Sequence, residues 1–134
     1  MTVLSLLLAG GSKEEALDGA FDILEENEAG VENLLPDVRI RRRSTLRPGP
    51  FVVDTLEMAL FMFFHESSFE EVLVATANLG GEADTTSCVA GALAGAHWGV
   101  DAIPRRWLRA VAGRNAIREA VRGLLALRGE APPG

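Results

Sequence analysis

A chain of 134 residues, 48% of them hydrophobic and 24% charged, is long enough to bury a core and short enough to be one domain. Its formal net charge of −6 excludes the broad basic surface that general nucleic-acid binding needs. Alanine and leucine dominate the apolar content, there is no tyrosine, and no stretch alternates apolar and polar residues between turns. These features predict an all-α fold, because small and straight-chain side chains lose little freedom in a helix.

In chain order, Met1–Ala9 reads as a helix stopped by Gly10-Gly11. Ser12 opens a second helix, with Glu15 three residues on to complete a capping box. Leu17, Phe21 and Leu24 give it an apolar stripe, and it is expected to end near Gly30. Val31–Leu35 reads as a helical turn or short helix. Arg39, Arg41, Arg42, Arg43 and Arg47 then lead into Pro48-Gly49-Pro50. This connection is either a functional loop or a solvated link. Phe51–Phe64 is apolar almost all round, the mark of a buried helix. It is too short to span a membrane, which takes about 20 apolar residues, and Asp54 and Glu57 interrupt it.

Ser67 and Ser68 with Glu70 and Glu71 predict a further helix to about Leu79, stopped by Gly80-Gly81. The next runs from about Asp84 to Trp98 and closes at Gly99. Pro104 suits the first turn of another, Asn115–Arg128 forms the last, and Glu130–Gly134 is expected to fray. Charge is unevenly spread: Glu14–Asp37 is almost wholly acidic, and in Arg105–Arg128 Glu119 is the only acid. Two solvated helix faces of opposite sign, able to meet in the fold, account for this; a specific anion-binding surface is the alternative. The single cysteine, Cys88, excludes an intrachain disulfide and fits a reducing compartment such as the cytoplasm. Its apolar surroundings predict a buried thiol.

The chemistry concentrates in Gly80-Gly81-Glu82-Ala83-Asp84-Thr85-Thr86. Two glycines permit a sharp turn, and a curved loop can aim two carboxylates spaced by one residue at a common point. With the Thr85 hydroxyl they form a hard-oxygen set suited to Mg²⁺, Mn²⁺ or Ca²⁺. Helix capping by Asp84 or Thr85 explains the same residues without a ligand. Gly91 and Gly95 inside the following helix each cost about 1 kcal/mol of helix propensity relative to alanine, so a packing reason is expected. That reason is close approach of a second helix, with this helix central in the fold. Asp54 and Glu57 share a helix face, as cleft-lining or dipole-complementing acids. His65 and His97 lack ligand spacing to each other, and Trp98 and Trp107 read as core.

Leu79–Thr86 together with Val89–Ala96 resembles the C-terminal metal motif of the ADP-ribosylglycohydrolases. Val52–Glu57, Ser68–Glu71 and Ile103–Leu108 resemble the family segments on either side. The resemblance implies an all-helical orthogonal bundle equivalent to the C-terminal part of the family fold. It also implies a pair of divalent ions, Mg²⁺ or Mn²⁺, that serve hydrolysis of an ADP-ribosyl glycosidic bond. Carried over, it makes Asp84 and Thr85 metal ligands. Glu82 joins the same shell with an arm one methylene longer than the family's aspartate. The family's other acidic motif, a threonine followed by aspartates, has no counterpart before Gly80. The expectation is therefore a single, partial domain over residues 1–134 that holds one ion of the pair and is inactive alone. Expected partners are an ADP-ribosylated protein or small ADP-ribosyl compound, a second copy in a homodimer that covers exposed apolar surface without repairing the site, or a complementary N-terminal half that completes it, and neither nucleic acid nor membrane. A non-catalytic nucleotide- or partner-binding module and a crystallin-like structural protein are the alternatives.

Overall fold

The computed structural model describes residues 2–27, 38–47, 49 and 51–129. Among these every regular element is helical, as the composition predicts: α1 (Thr2–Leu8), α2 (Lys13–Asn27), α3 (Val52–His65), α4 (Phe69–Ala77), α5 (Ala83–Trp98), α6 (Arg105–Ala110) and α7 (Arg114–Leu127). Short 3₁₀ turns occupy Arg43–Thr45 and Val100–Ala102. The end of the second helix near Gly30, the Val31–Leu35 turn and the Glu130–Gly134 tail lie outside the described residues. No described helix is long and apolar enough to cross a membrane. The chain divides into two compact units, Met1–Ile103 and Pro104–Gly134.

Local signals set the ends of the helices in the first unit. After α1, Gly11 N–H bonds Leu6 carbonyl at 2.9 Å and Gly10 N–H bonds Leu7 carbonyl at 3.0 Å, with Gly10 at φ +89°. This paired closure uses the left-handed conformation that glycine adopts without a Cβ clash. Ser12 and Glu15 then cap α2 reciprocally, Glu15 N–H to Ser12 Oγ at 3.1 Å and Ser12 N–H to Glu15 Oε2 at 2.8 Å. At the start of α4, Glu71 N–H donates to Ser68 Oγ at 3.2 Å, while Glu71 Oε2 accepts from Ser67 N–H at 3.1 Å.

The core gathers around α3 and α5. Eight of the 14 residues of α3 are buried, including Met58, Met62 and Phe63. Val52 and Leu56 near its start stay exposed, and α5 packs against α1, α3 and α4. The inward face of α5 is Thr86, Ala90, Leu93 and Ala94, spaced at helical periodicity. Gly91 and Gly95 face α4. A Cβ at Gly91 would stand 3.6 Å from Leu73 Cδ1, and one at Gly95 would stand 4.0 Å from Phe69 Cε2. Both are ordinary van der Waals distances. The central position expected for this helix is confirmed, but an alanine at either site would fit.

One side chain ties the two ends of this unit together. The Lys13 ammonium donates to the carbonyls of Phe63 at 2.7 Å, Phe64 at 3.3 Å and Glu66 at 2.7 Å. It thus takes the unpaired acceptors at the end of α3, where the helix dipole favours a cation. It also lies 4.5 Å from the Trp98 ring centroid and 5.1 Å from that of Phe63. Burial holds its pKa below the usual 10.5, with Glu14 and Glu66 pulling in the opposite direction.

The arginine-rich connection is stitched to the helices. Arg39 pairs with Asp18 at 2.6 Å, Arg41 with Glu57 at 2.7 Å and Arg43 with Glu66 at 3.1 Å. Val38 and Leu46 are buried on either side. The Arg41–Glu57 pair is the most enclosed, its carboxylate side chain only 12% exposed. The second unit is built from α6, which follows Pro104, and α7, which follows Gly113 at φ +72°. Trp98 and Trp107 are both half-buried rather than deep core.

Three stability measurements follow. Arg41→Met leaves Glu57 enclosed without its partner and lowers unfolding free energy in urea by about 1–3 kcal/mol. Arg43→Met, at a more exposed pair, costs less than about 1 kcal/mol; equal losses would contradict this ordering. Gly95→Ala raises stability by about 0.5–1 kcal/mol, because helix propensity improves and the methyl meets no obstruction. The third concerns His97, whose pKa lies below 6.5 through burial first and the nearby Lys13 charge second, with Glu14 opposing. The unfolded chain therefore binds the proton at a higher pH than the folded one. Stability present above pH 6.5 is lost as the pH falls from there towards the folded pKa. Between pH 7.5 and 5.5 the melting temperature should fall more for the native chain than for His97→Gln, and parallel curves would remove His97 as the cause.

Candidate metal loop

The segment between α4 and α5 turns on two consecutive left-handed glycines, Gly80 at φ 75° and Gly81 at φ 62°. No atom lies within 4 Å of where a Gly80 Cβ would stand, so backbone conformation rather than space requires glycine there. α4 is closed before the turn by Leu79 N–H to Thr76 carbonyl and by the Asn78 side-chain amide to Val74 carbonyl. Glu82 is the N-terminal cap residue of α5, but its side chain makes no capping bond. Its carbonyl accepts instead, from Thr86 N–H at 2.9 Å and from Thr86 Oγ1 at 3.0 Å.

Glu82, Asp84 and Thr85 are all exposed, whereas Thr86 is 1% exposed and directed inward. The loop therefore divides its polar side chains between an outward set and an inward anchor. Asp84 Oδ1 accepts from Thr85 N–H at 2.8 Å, so Asp84 satisfies one free amide of the helix start from within the first turn. Behind the loop, Ser87 Oγ donates to Thr76 Oγ1 at 3.0 Å, and Thr76 Oγ1 lies 3.0 Å from both Val72 and Leu73 carbonyls. This hydroxyl chain fastens the first turn of α5 to the last turns of α4. Thr76, Thr86 and Ser87 were not legible as site residues, since a helical Ser or Thr carries no mark of which partner it will meet.

The outward set is two carboxylates and a hydroxyl, oxygen donors of the kind Mg²⁺ and Mn²⁺ prefer. In chemistry they fit such an ion. In number they fall short of the six oxygens it takes, and no group of three or more His, Cys, Asp or Glu among the described residues is placed to hold a metal.

The remaining candidates are engaged in packing. Glu57 is held by Arg41, and the Asp54 carboxylate occupies the space a side chain at position 49 would need. His65 Nε2 lies 2.9 Å from Val38 carbonyl, and His97 meets the rings of Phe63 and Trp98 edge-on. Cys88 is exposed, not buried. It lies two residues from Thr86 along α5, about 200° around the helix and so opposite the inward face. A cavity of about 580 Å³ runs beside α4, between Arg43, Glu66, Ser68, Glu71 and Asn78, and includes no residue of the 80–86 loop.

The family model described as ADP-ribosylglycohydrolase matches residues 1–133. The ADP-ribosylarginine hydrolase Tri1 of Pseudomonas putida is 33% identical over 121 residues, covering 90% of this chain and 32% of the relative. The ADP-ribosyl-dinitrogen reductase glycohydrolase of Rhodospirillum rubrum is 44% identical over 81 residues, covering 59% of this chain and 28% of the relative. The ADP-ribosylhydrolase ARH3 of Homo sapiens is 38% identical, covering 77% of this chain and 36% of the relative. No solved structure matches. The chain thus spans about a third of the length of the curated relatives it matches. With its helices, its glycine-turned acidic loop and a match over nearly its whole length, the chain belongs to the ADP-ribosylglycohydrolase family.

Proposed function

We propose that this chain provides one half of the divalent-cation site of an ADP-ribosyl hydrolase. The observation that carries the reading is the division of the 80–86 loop. Its left-handed turn and buried Thr86 anchor leave Glu82, Asp84 and Thr85 exposed on one short segment, and that segment resembles the family's acidic motif. When bound, a cation supplies fixed positive charge towards which the ribose hydroxyls and the hydrolytic water orient. Asp84 and Thr85 are the residues assigned to hold it, with Glu82 reaching the same shell from the cap position. The Ser87–Thr76 contact and the Thr86 anchor keep the loop from shifting, which matters because a displacement of about 1 Å costs on the order of a hundredfold in rate. No described residue beside the loop is placed as a general acid or base. The name of the Pseudomonas putida relative makes ADP-ribosylarginine the first substrate to test.

Three oxygen-bearing side chains from one loop leave an ion under-coordinated, so binding of Mg²⁺ or Mn²⁺ to the isolated chain is expected to be weak. Calorimetric titration with Mn²⁺ should give a signal that Asp84→Ala abolishes while leaving the circular dichroism spectrum unchanged. Retained binding would remove the loop from the reading. With either metal, the highly purified chain should release no ADP-ribose from an ADP-ribosylarginine peptide, because these 134 residues contain no second acidic motif. Turnover that disappears in Asp84→Ala would show a complete active site here and overturn the half-site argument. ADP-ribose binding that survives Asp84→Ala, without turnover, would favour a nucleotide-binding module instead.

A further inference from the structure

The second unit carries an amphipathic helix whose apolar side nothing else in that unit covers. On α7, Ile117, Val121 and Leu124 form one row and are 56%, 43% and 64% exposed. Arg114, Arg118 and Arg122 form a second row beside it, each four residues from the last. A helix with an apolar stripe flanked by cations is built to lie on something apolar and acidic.

The first unit presents a matching row. Glu14, Asp18 and Asp22 are exposed on α2 at the same four-residue spacing, a repeat of about 6 Å along a helix. Half-buried Phe21 lies to one side of this row, about 60° around the helix from Asp18, with the Arg39 guanidinium 5.8 Å from its ring centroid. Arg39 brings the chain alongside by pairing with Asp18, and the next residue, Ile40, is 82% exposed. The sequence repeats this contrast at large scale. Residues 104–134 hold seven arginines against Glu119 and Glu130, whereas residues 1–103 hold 17 acids against six bases.

We propose that α7 of one copy docks on the α2 face of a second copy, arginine row against acidic row, with Ile117, Val121 and Leu124 laid over Phe21 and Ile40. Two such contacts made reciprocally close into a two-fold dimer. Charge decides against two other occupants. An antiparallel α7–α7 pair would set arginine row against arginine row, a juxtaposition of like charges that opposes association. An anionic lipid surface suits α7 taken alone but repels the acidic majority of the chain.

Sedimentation velocity of the whole 134-residue chain tests this. The expected result is a concentration-dependent dimer at low ionic strength whose dissociation constant rises at least about tenfold in about 0.5 M salt, where charges a few Å apart are already screened. Leu124→Asp should be monomeric. So should the double variants Arg118→Glu/Arg122→Glu and Glu14→Arg/Asp22→Arg, with Asp18 kept in place because it holds Arg39. Mixing the two double variants should restore a heterodimer, a result that misfolding of either could not produce. A native chain that stays monomeric at every concentration overturns the proposal. So does a mixture that fails to associate although both variants keep native helicity by circular dichroism. Binding to phosphatidylserine vesicles by a chain that does not self-associate would do the same and give the helix to a membrane.

Discussion

The first unit is held together by the Lys13 ammonium. A helix end leaves acceptor carbonyls without intrahelical partners, and α3, the most buried helix of the described fold, has such an end at Phe63–Glu66, where it comes back toward the surface. Lys13 brings a positive charge to that end from the start of α2, some 50 residues earlier in the chain. Trp98 and Phe63 then enclose it. Three helices therefore meet at one nitrogen. The beginning of α2, the end of α3 and the end of α5 cannot be placed independently. The cost is a cation partly withdrawn from solvent, felt by both Lys13 and the neighbouring His97.

With the far end of α5 fixed there, its near end is fixed by hydroxyls. Thr86 turns back to the Glu82 carbonyl, and Ser87 reaches Thr76 on α4. The acidic loop thus sits on a helix restrained at both ends. Its outward side chains are the part left without such anchors, an arrangement that suits the proposed cation site.

Much of this was legible because the punctuation is local. Ser12 with Glu15, Ser68 with Glu71 and the Gly80-Gly81 turn act within a few residues of themselves, and each behaves as its spacing indicates. The outward presentation of Glu82, Asp84 and Thr85 follows from the same turn. What escaped reading depends on partners far away in sequence. A lysine heading a run of acids looks like a surface residue, and nothing near Lys13 reveals the carbonyls of Phe63 and Glu66. The arginines after Val38 looked like a loop in solvent, whereas Arg41 and Arg43 have acids waiting on and just after α3. The exposure of Cys88 was missed for another reason. α5 is small and apolar on every side, so periodicity does not say which face turns inward until its neighbours are known.

That exposure has a use. Cys88 is the only thiol in the chain and stands four residues after Asp84 on α5, where side chains of one helix face are about 5–6 Å apart at Cβ. A reagent attached there reports from beside the acidic loop and from nowhere else. A fluorophore on it would test the proposed site, since quenching by paramagnetic Mn²⁺ is expected only if the ion comes to this loop, and it needs no turnover. The same neighbourhood makes the loop vulnerable. Oxidation or alkylation of this one sulfur adds bulk or charge within a side chain's length of the Asp84 carboxylate.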